Sequence, residues 1–203
     1  MFEPDSTALT PDSTRRLLRG GYLLEGVTLG WNVVGIVVLA VAAIAARSVA
    51  LAGFGLDSLI EIGASTVVLW ELAGSGTVRQ RRALRLIGIA FVALALYLAV
   101  QSTYVLATAH HAKHSALGIV WTAVTAALMF GLATGKSRVG RALDNPVLRT
   151  EGRVTMVDAL LAIAVFAGLA LNAGAGWWWA DPLAGYVILF YGLKEGIAAL
   201  RTT

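Results

Sequence analysis

Apolar positions along the chain gather into six long stretches, at roughly 22–46, 48–72, 86–108, 115–134, 150–173 and 181–200. Each is close to the ~20 residues a helix needs to cross the hydrocarbon layer of a bilayer. The pattern predicts an all-α, polytopic membrane protein with six transmembrane helices. The first two stretches are separated only by Arg47 and Ser48, which predicts a tight helical hairpin. Polar connectors run from Gly74 to Arg85 and from Gly135 to Arg149, the second containing Pro146. Residues 1–20 read as a polar cytosolic segment and residues 21–203 as the membrane domain. Met1 to Thr14 carries Glu3, Asp5 and Asp12 and lacks the basic start and early apolar run of a signal peptide. The first apolar stretch is therefore expected to remain as a span.

Composition agrees with this pattern. Hydrophobic residues make up 58% of the 203 positions and charged residues 14%, against about 25% charged in a soluble domain. There is no cysteine, so disulfides, thiolate metal sites and cysteine nucleophiles are excluded. The net charge of +4 does not point to nucleic acid, because the basic residues are segregated. Arg15, Arg16 and Arg19 precede the first stretch. Arg79, Arg81, Arg82 and Arg85 lie between the second and third. Lys136, Arg138, Arg141, Arg149 and Arg153 lie between or beside the fourth and fifth, and Lys194 and Arg201 lie at the end. Only Arg47 and Lys113 fall on the other side. Cytoplasmic connectors collect Lys and Arg, so both termini are expected inside the cell. Trp177, Trp178 and Trp179 stand at the opposite interface, where the amphipathic indole favours the headgroup layer. Gly26 and Gly30 form a GxxxG, which suits close packing within the bundle or between two copies.

Candidate chemistry sits in four carboxylates placed away from helix ends: Glu25, Asp57, Glu61 and Asp158. A charged residue at the middle of a span costs about 2.5–3.5 kcal/mol on the insertion scale, so such residues mark function by default. Asp57 and Glu61, four apart, project from one face of their helix and repel. With Lys136 assigned to the cytoplasmic connector, no basic residue is expected at their depth. The counter-charge is then expected from solution, as protons or a metal ion. Oxygen ligands suit hard or borderline divalent ions. The alternative is a pair of protonated acids hydrogen-bonded to Ser58 or Asn32. Glu25, Thr28 and Asn32 share a helix face that either lines a path or joins helices. Glu151, two turns from Asp158, either guides cations inward or solvates the start of its helix beside Arg149 and Arg153. His110, His111 and His114 form a loop cluster that either captures metal or is simply solvated. No Ser/His/Asp arrangement, phosphate-binding loop or HExxH sequence occurs, so no enzyme is expected.

Three segments together resemble the cation diffusion facilitator, or cation efflux, family. They are Ser48 to Glu61 (SVALAGFGLDSLIE), Glu151 to Leu161, and Gly176 to Ala184 (GWWWADPLA). The resemblance implies six helices, usual homodimers, and exchange of Zn²⁺, Mn²⁺, Fe²⁺ or a similar ion against protons, out of the cytosol. It also implies a metal site of Asp57, Glu61 and Asp158, with Glu25, Asn32, Glu151 and Thr155 as accessory ligands or path. The family's fourth ligand falls at Val154, which cannot coordinate, and the chain stops before the family's usual cytosolic domain. The expected function is secondary-active divalent metal transport in a lipid bilayer, by weak compositional signs a bacterial inner membrane, with metal ions and protons as substrates and no cofactor. A passive cation or proton channel and a non-transporting membrane scaffold are the alternatives.

Overall fold

The computed structural model describes residues 10–46, 48–73, 77–109 and 113–201. Arg47 of the expected tight hairpin, and His110 and His111 of the histidine cluster, lie outside the described residues, as does most of the polar start of the chain. The described residues form six helices and no strand: α1 (Pro11–Ala46), α2 (Val49–Leu72), α3 (Thr77–Thr108), α4 (Ala116–Ala142), α5 (Pro146–Ala175) and α6 (Ala180–Arg201). Over the described residues, α1 to α5 are each long and apolar enough to cross a membrane.

Helix ends follow local chemistry. Ser48 Oγ accepts the Leu51 N–H at 3.2 Å at the start of α2, and Ser115 Oγ accepts the Gly118 N–H at 3.0 Å at the start of α4. Asn145 caps α5 through Leu148 N–H at 2.9 Å, with Pro146 in the first turn where its missing N–H is harmless. Gly176, at φ 69°, ends α5 in the left-handed conformation that glycine adopts freely.

Several helices are longer than the apolar stretches predict. α1 starts at Pro11 rather than near 22, and α3 at Thr77 rather than near 86. α4 continues to Ala142 and α5 begins at Pro146, so the expected connector from Gly135 to Arg149 shrinks to Leu143, Asp144 and Asn145. Hydropathy marks the segment that contacts hydrocarbon, whereas backbone hydrogen bonding continues for turns beyond it wherever nothing breaks the helix. The short α4–α5 turn is made by Asp144 at φ 47°, a conformation its small polar side chain tolerates.

The helices pack as a ring with a flank. α1 packs on α2 and α4, and α5 packs on α2 and α4, which closes a four-helix ring. α3 and α6 pack on each other and lie against the α2–α5 side. Leu23, Val37, Val41 and Ile44 of α1, Leu96 and Val100 of α3, and Phe190 of α6 are exposed on the outside. Glu25, Asp57, Glu61, Lys136, Glu151 and Asp158 are buried. This is the inverse of a water-soluble protein and the arrangement expected in lipid.

Close approaches of backbone to backbone rest on glycine. A Cβ on Gly88 would lie 3.1 Å from Gly196 O, and one on Gly196 3.1 Å from Gly88 O, so α3 and α6 meet almost backbone to backbone. A Cβ on Gly140 would lie 2.7 Å from Arg149 N across the α4–α5 turn. Gly26 and Gly30 have no neighbour within 4 Å, so their GxxxG plays no part in packing within this bundle. Trp31 of α1 instead stacks on Trp121 of α4, with centroids 4.6 Å apart and planes at 7°. Its indole N–H donates to Thr125 Oγ1 at 3.0 Å. Gly140→Ala should lower stability by about 1–3 kcal/mol because the atoms it meets are backbone, whereas Gly26→Ala should be neutral. Thermal unfolding of the two variants in one detergent measures both.

Candidate cation site

The buried acids come from α1, α2 and α5 and lie inside the helix ring. α2 places Asp57, Glu61 and Ser65 at successive turns of one inward face, and α5 places Glu151, Thr155 and Asp158 on its own inward face. The helices are antiparallel neighbours, so the two rows match level by level. Ser65 Oγ donates to Glu151 Oε1 at 3.4 Å. Thr155 Oγ1 donates to Glu61 Oε1 at 2.7 Å. Asp57 and Asp158, at the next level, line the same small cavity.

One side chain corrects the sequence reading. Lys136 is fully buried rather than part of a cytoplasmic connector, and its ammonium enters the column from α4. Nζ lies 3.0 Å from Glu25 Oε2 and 3.1 Å from Glu151 Oε1, and Glu61 Oε1 is 4.0 Å away. It also donates to Thr155 Oγ1 at 2.9 Å. The acids therefore possess an internal counter-charge, contrary to the expectation that it must come from solution. The signal was present in the spacing. Thr122, Thr125, Met129, Leu132 and Lys136 fall on one buried face of α4 at helical period. Carrying that period past residue 134 points Lys136 inward.

Other expectations are resolved individually. Glu151 does not solvate the start of its helix, because it is fully buried between Ser65 and Lys136. Glu25 is equally buried. Thr155 bridges Lys136 and Glu61. Asn32 is buried but donates to Thr28 O of its own helix at 3.0 Å, and Ser58 Oγ donates to Phe54 O at 3.3 Å. Neither supplies the hydrogen bonds that would make Asp57 and Glu61 a satisfied structural pair. His114 is exposed.

The column has an outer level at Asp57 and Asp158 and an inner one around Lys136, and carboxylate oxygens without a hydrogen-bond partner occur at both. Among the described residues, Asp57 Oδ2 and both carboxylate oxygens of Asp158 have no hydrogen-bond partner. Buried polar atoms are nearly always partnered, so these three oxygens are exceptions, as are oxygens of Glu25 and Glu151. A cavity of about 10 Å³ lies beside them, lined by Asp57, Glu61, Val154 and Asp158 together with Ile87, Phe91 and Leu94 of α3. Val154, the position where the family resemblance predicts a ligand, thus faces the acids without joining them. Among the described residues no three acids or histidines close around a single point that could hold a metal. A second cavity of about 20 Å³ lies farther toward the start of α2, lined by Phe54, Gln101, Ser102 and Leu161 among others.

The family model described as the cation efflux transmembrane domain matches residues 84–203. The chain belongs to the cation efflux family. The match begins within α3 and runs through α6, so it includes Lys136, Glu151, Thr155 and Asp158 but not the acid pair of α2. Membership places this cation efflux protein among membrane transporters of metal cations rather than among enzymes.

Removing one partner of a buried ion pair leaves an uncompensated charge and costs about 3–5 kcal/mol. Lys136→Met should therefore destabilise the fold by about that amount. Adding Glu25→Gln should restore part of the loss. A double-mutant cycle by thermal unfolding in nanodiscs reads the coupling.

Proposed function

We propose that this cation efflux protein is a secondary-active transporter that exchanges a divalent metal ion against protons, out of the cytosol. The observation that carries this reading is the pair Asp57 and Asp158, buried on one small cavity, with three carboxylate oxygens that lack a hydrogen-bond partner among the described residues. Asp57, Glu61 and Asp158 would be the ligands of the transported ion, with Glu25, Glu151, Thr155 and Asn32 along or beside its path. The ligand set is all oxygen, which suits a hard or borderline ion of the Mn²⁺, Fe²⁺ or Zn²⁺ kind. Carboxylates this close cannot all carry charge unless a cation joins them. A metal ion and a proton are therefore mutually exclusive occupants of the same oxygens, so binding one releases the other, which is the requirement for exchange.

The surroundings support a path. Along α2 and α5 the polar column runs from Ser65 and Glu151 through Glu61 and Thr155 to Asp57 and Asp158. The cavity lined by Gln101 and Ser102 continues it beyond the acids. A site within the bundle, reached from either end, is what alternating access requires. The reading includes α6 as a sixth span and both termini in the cytosol, for which the segregation of Lys and Arg is the support. Assembly as a homodimer belongs to the same reading and rests on family resemblance.

Metal uptake into proteoliposomes tests the proposal. A panel of Mn²⁺, Zn²⁺, Fe²⁺, Co²⁺ and Mg²⁺ would be offered with and without an imposed pH gradient. Flux should follow the gradient in the wild type and fall to the level of empty liposomes in Asp57→Asn. Equal flux through wild type, folded Asp57→Asn and empty liposomes would overturn it. Flux through the wild type that ignores the proton gradient would instead favour a passive channel.

A further inference from the structure

The flank formed by α3 and α6 carries positive charge on its lipid-facing side. The two helices run antiparallel and meet at Gly88 and Gly196, with Phe91 and Val92 of α3 beside Gly196 and Leu200 of α6 beside Gly88. Counted by helical period from that seam, Arg82 and Arg85 of α3 and Lys194 and Arg201 of α6 fall on one side of the pair. It is the side turned away from the buried face of Ile87 and Leu94. All four basic side chains are exposed. Among the described residues none of them lies within ion-pair distance of an acid, and α3 contains no acid. Lys194 stands apart from the other three. It precedes Arg201 by seven residues, about 10 Å along the helix, and its exposed neighbours Phe190, Leu193 and Ile197 are apolar. A lysine on such a surface keeps its charge by extending its stem toward the headgroup layer.

We propose that this side of the α3–α6 pair binds an anionic phospholipid, its phosphate held by Arg82, Arg85, Arg201 and the extended Lys194, its acyl chains lying over Leu86, Ile89, Leu193 and Ile197. The inference rests on α6 crossing the bilayer and not on the exchange of metal against protons. The guanidinium groups offer paired N–H donors that match phosphate oxygens, and basic pockets between transmembrane helices are places where anionic headgroups lodge. Leu86 and Ile89 of α3, with Leu193 and Ile197 of α6, are exposed beside the charges and continue the same face toward mid-membrane. The position of Lys194 decides the class of ligand. A soluble anion would reach the three arginines, but Lys194 sits where hydrocarbon is the surrounding medium. A phospholipid presents both phosphate and hydrocarbon along one face. A second copy of the chain on this side would set four basic side chains against four like ones, which repel.

The test titrates the full chain in detergent with phosphatidylglycerol or with phosphatidylcholine and reads bound lipid by native mass spectrometry. The wild type should hold phosphatidylglycerol at least about tenfold more tightly than phosphatidylcholine. Each basic group removed should weaken phosphatidylglycerol by about fivefold, so Arg85→Gln with Arg201→Gln should lose about 25-fold and Lys194→Leu about fivefold. Neither should change the binding of phosphatidylcholine. Arg15→Gln with Arg16→Gln removes as much charge from α1 and should leave the first phosphatidylglycerol in place. All these side chains are exposed, so the variants should fold, and circular dichroism checks it. Equal affinity for phosphatidylglycerol in the wild type and the folded Arg85/Arg201 variant would overturn the proposal. So would an equal loss in the α1 variant, which would make the effect one of net charge. Displacement of phosphatidylglycerol by an equal concentration of inorganic phosphate would assign the arginines to a soluble anion and overturn it as well. None of these readings depends on whether the chain moves metal, so the transport reading stands or falls separately in proteoliposomes.

Discussion

The arrangement of the ring depends on one buried ammonium. Lys136 of α4 reaches acids or hydroxyls on α1, α2 and α5, so a single side chain ties together the four helices that enclose the site. In lipid, apolar side chains do not draw helices together, because the tails around them are equally apolar. Interhelical polar contacts and close backbone packing must then decide which helix faces which. The Trp31–Trp121 stack with its bond to Thr125 fixes α1 against α4. Gly88 and Gly196 fix α3 against α6. The lysine hub joins the remainder. The energetic worth of such a hub is small as a net sum, since desolvation offsets most of the attraction. Its value lies in register, because any other rotation of α4 would leave an unpaired charge in hydrocarbon.

The polar column has two levels with different character. At the inner level, charge is largely answered from within, by Lys136, Ser65 and Thr155. At the outer level, Asp57 and Asp158 share a small cavity with Glu61, Val154 and an apolar wall from α3 that includes Ile87, Phe91 and Leu94. A protein core that is fully satisfied is rigid and inert. Neither level is fully satisfied, since oxygens of Glu25 and Glu151 beside the ammonium lack a hydrogen-bond partner as those of Asp57 and Asp158 do. The division of labour follows from which helix carries which residue, since α2 and α5 contribute to both levels and α4 only to the inner one.

Much of this was legible in the sequence. Six apolar stretches gave six helices in the right order, and the spacing of Asp57 and Glu61 placed both on one inward face. Glu151, two turns from Asp158, was visible as a member of the same face. What hydropathy could not supply was the true reach of α4 and α5. A polar run containing Lys136, Arg138 and Arg141 reads as a connector because its average is hydrophilic. The helix nevertheless continues, with Lys136 turned inward while Arg138 and Arg141 are exposed. Averages along a window lose this difference, and only the helical period retains it. The same blindness made Glu151 look like a solvated residue near Arg149 and Arg153, both of which are exposed.

The three-residue turn between α4 and α5 has a consequence for how the chain enters the membrane. Lys136 and Glu151 stand on the two arms of one hairpin, and the turn of Leu143, Asp144 and Asn145 brings them within 3.1 Å. Each charge alone carries an insertion cost of about 2.5–3.5 kcal/mol at mid-span. Inserted as one hairpin, the two arms present a neutral pair to the translocation machinery, and the penalty for both is offset within a single biosynthetic step.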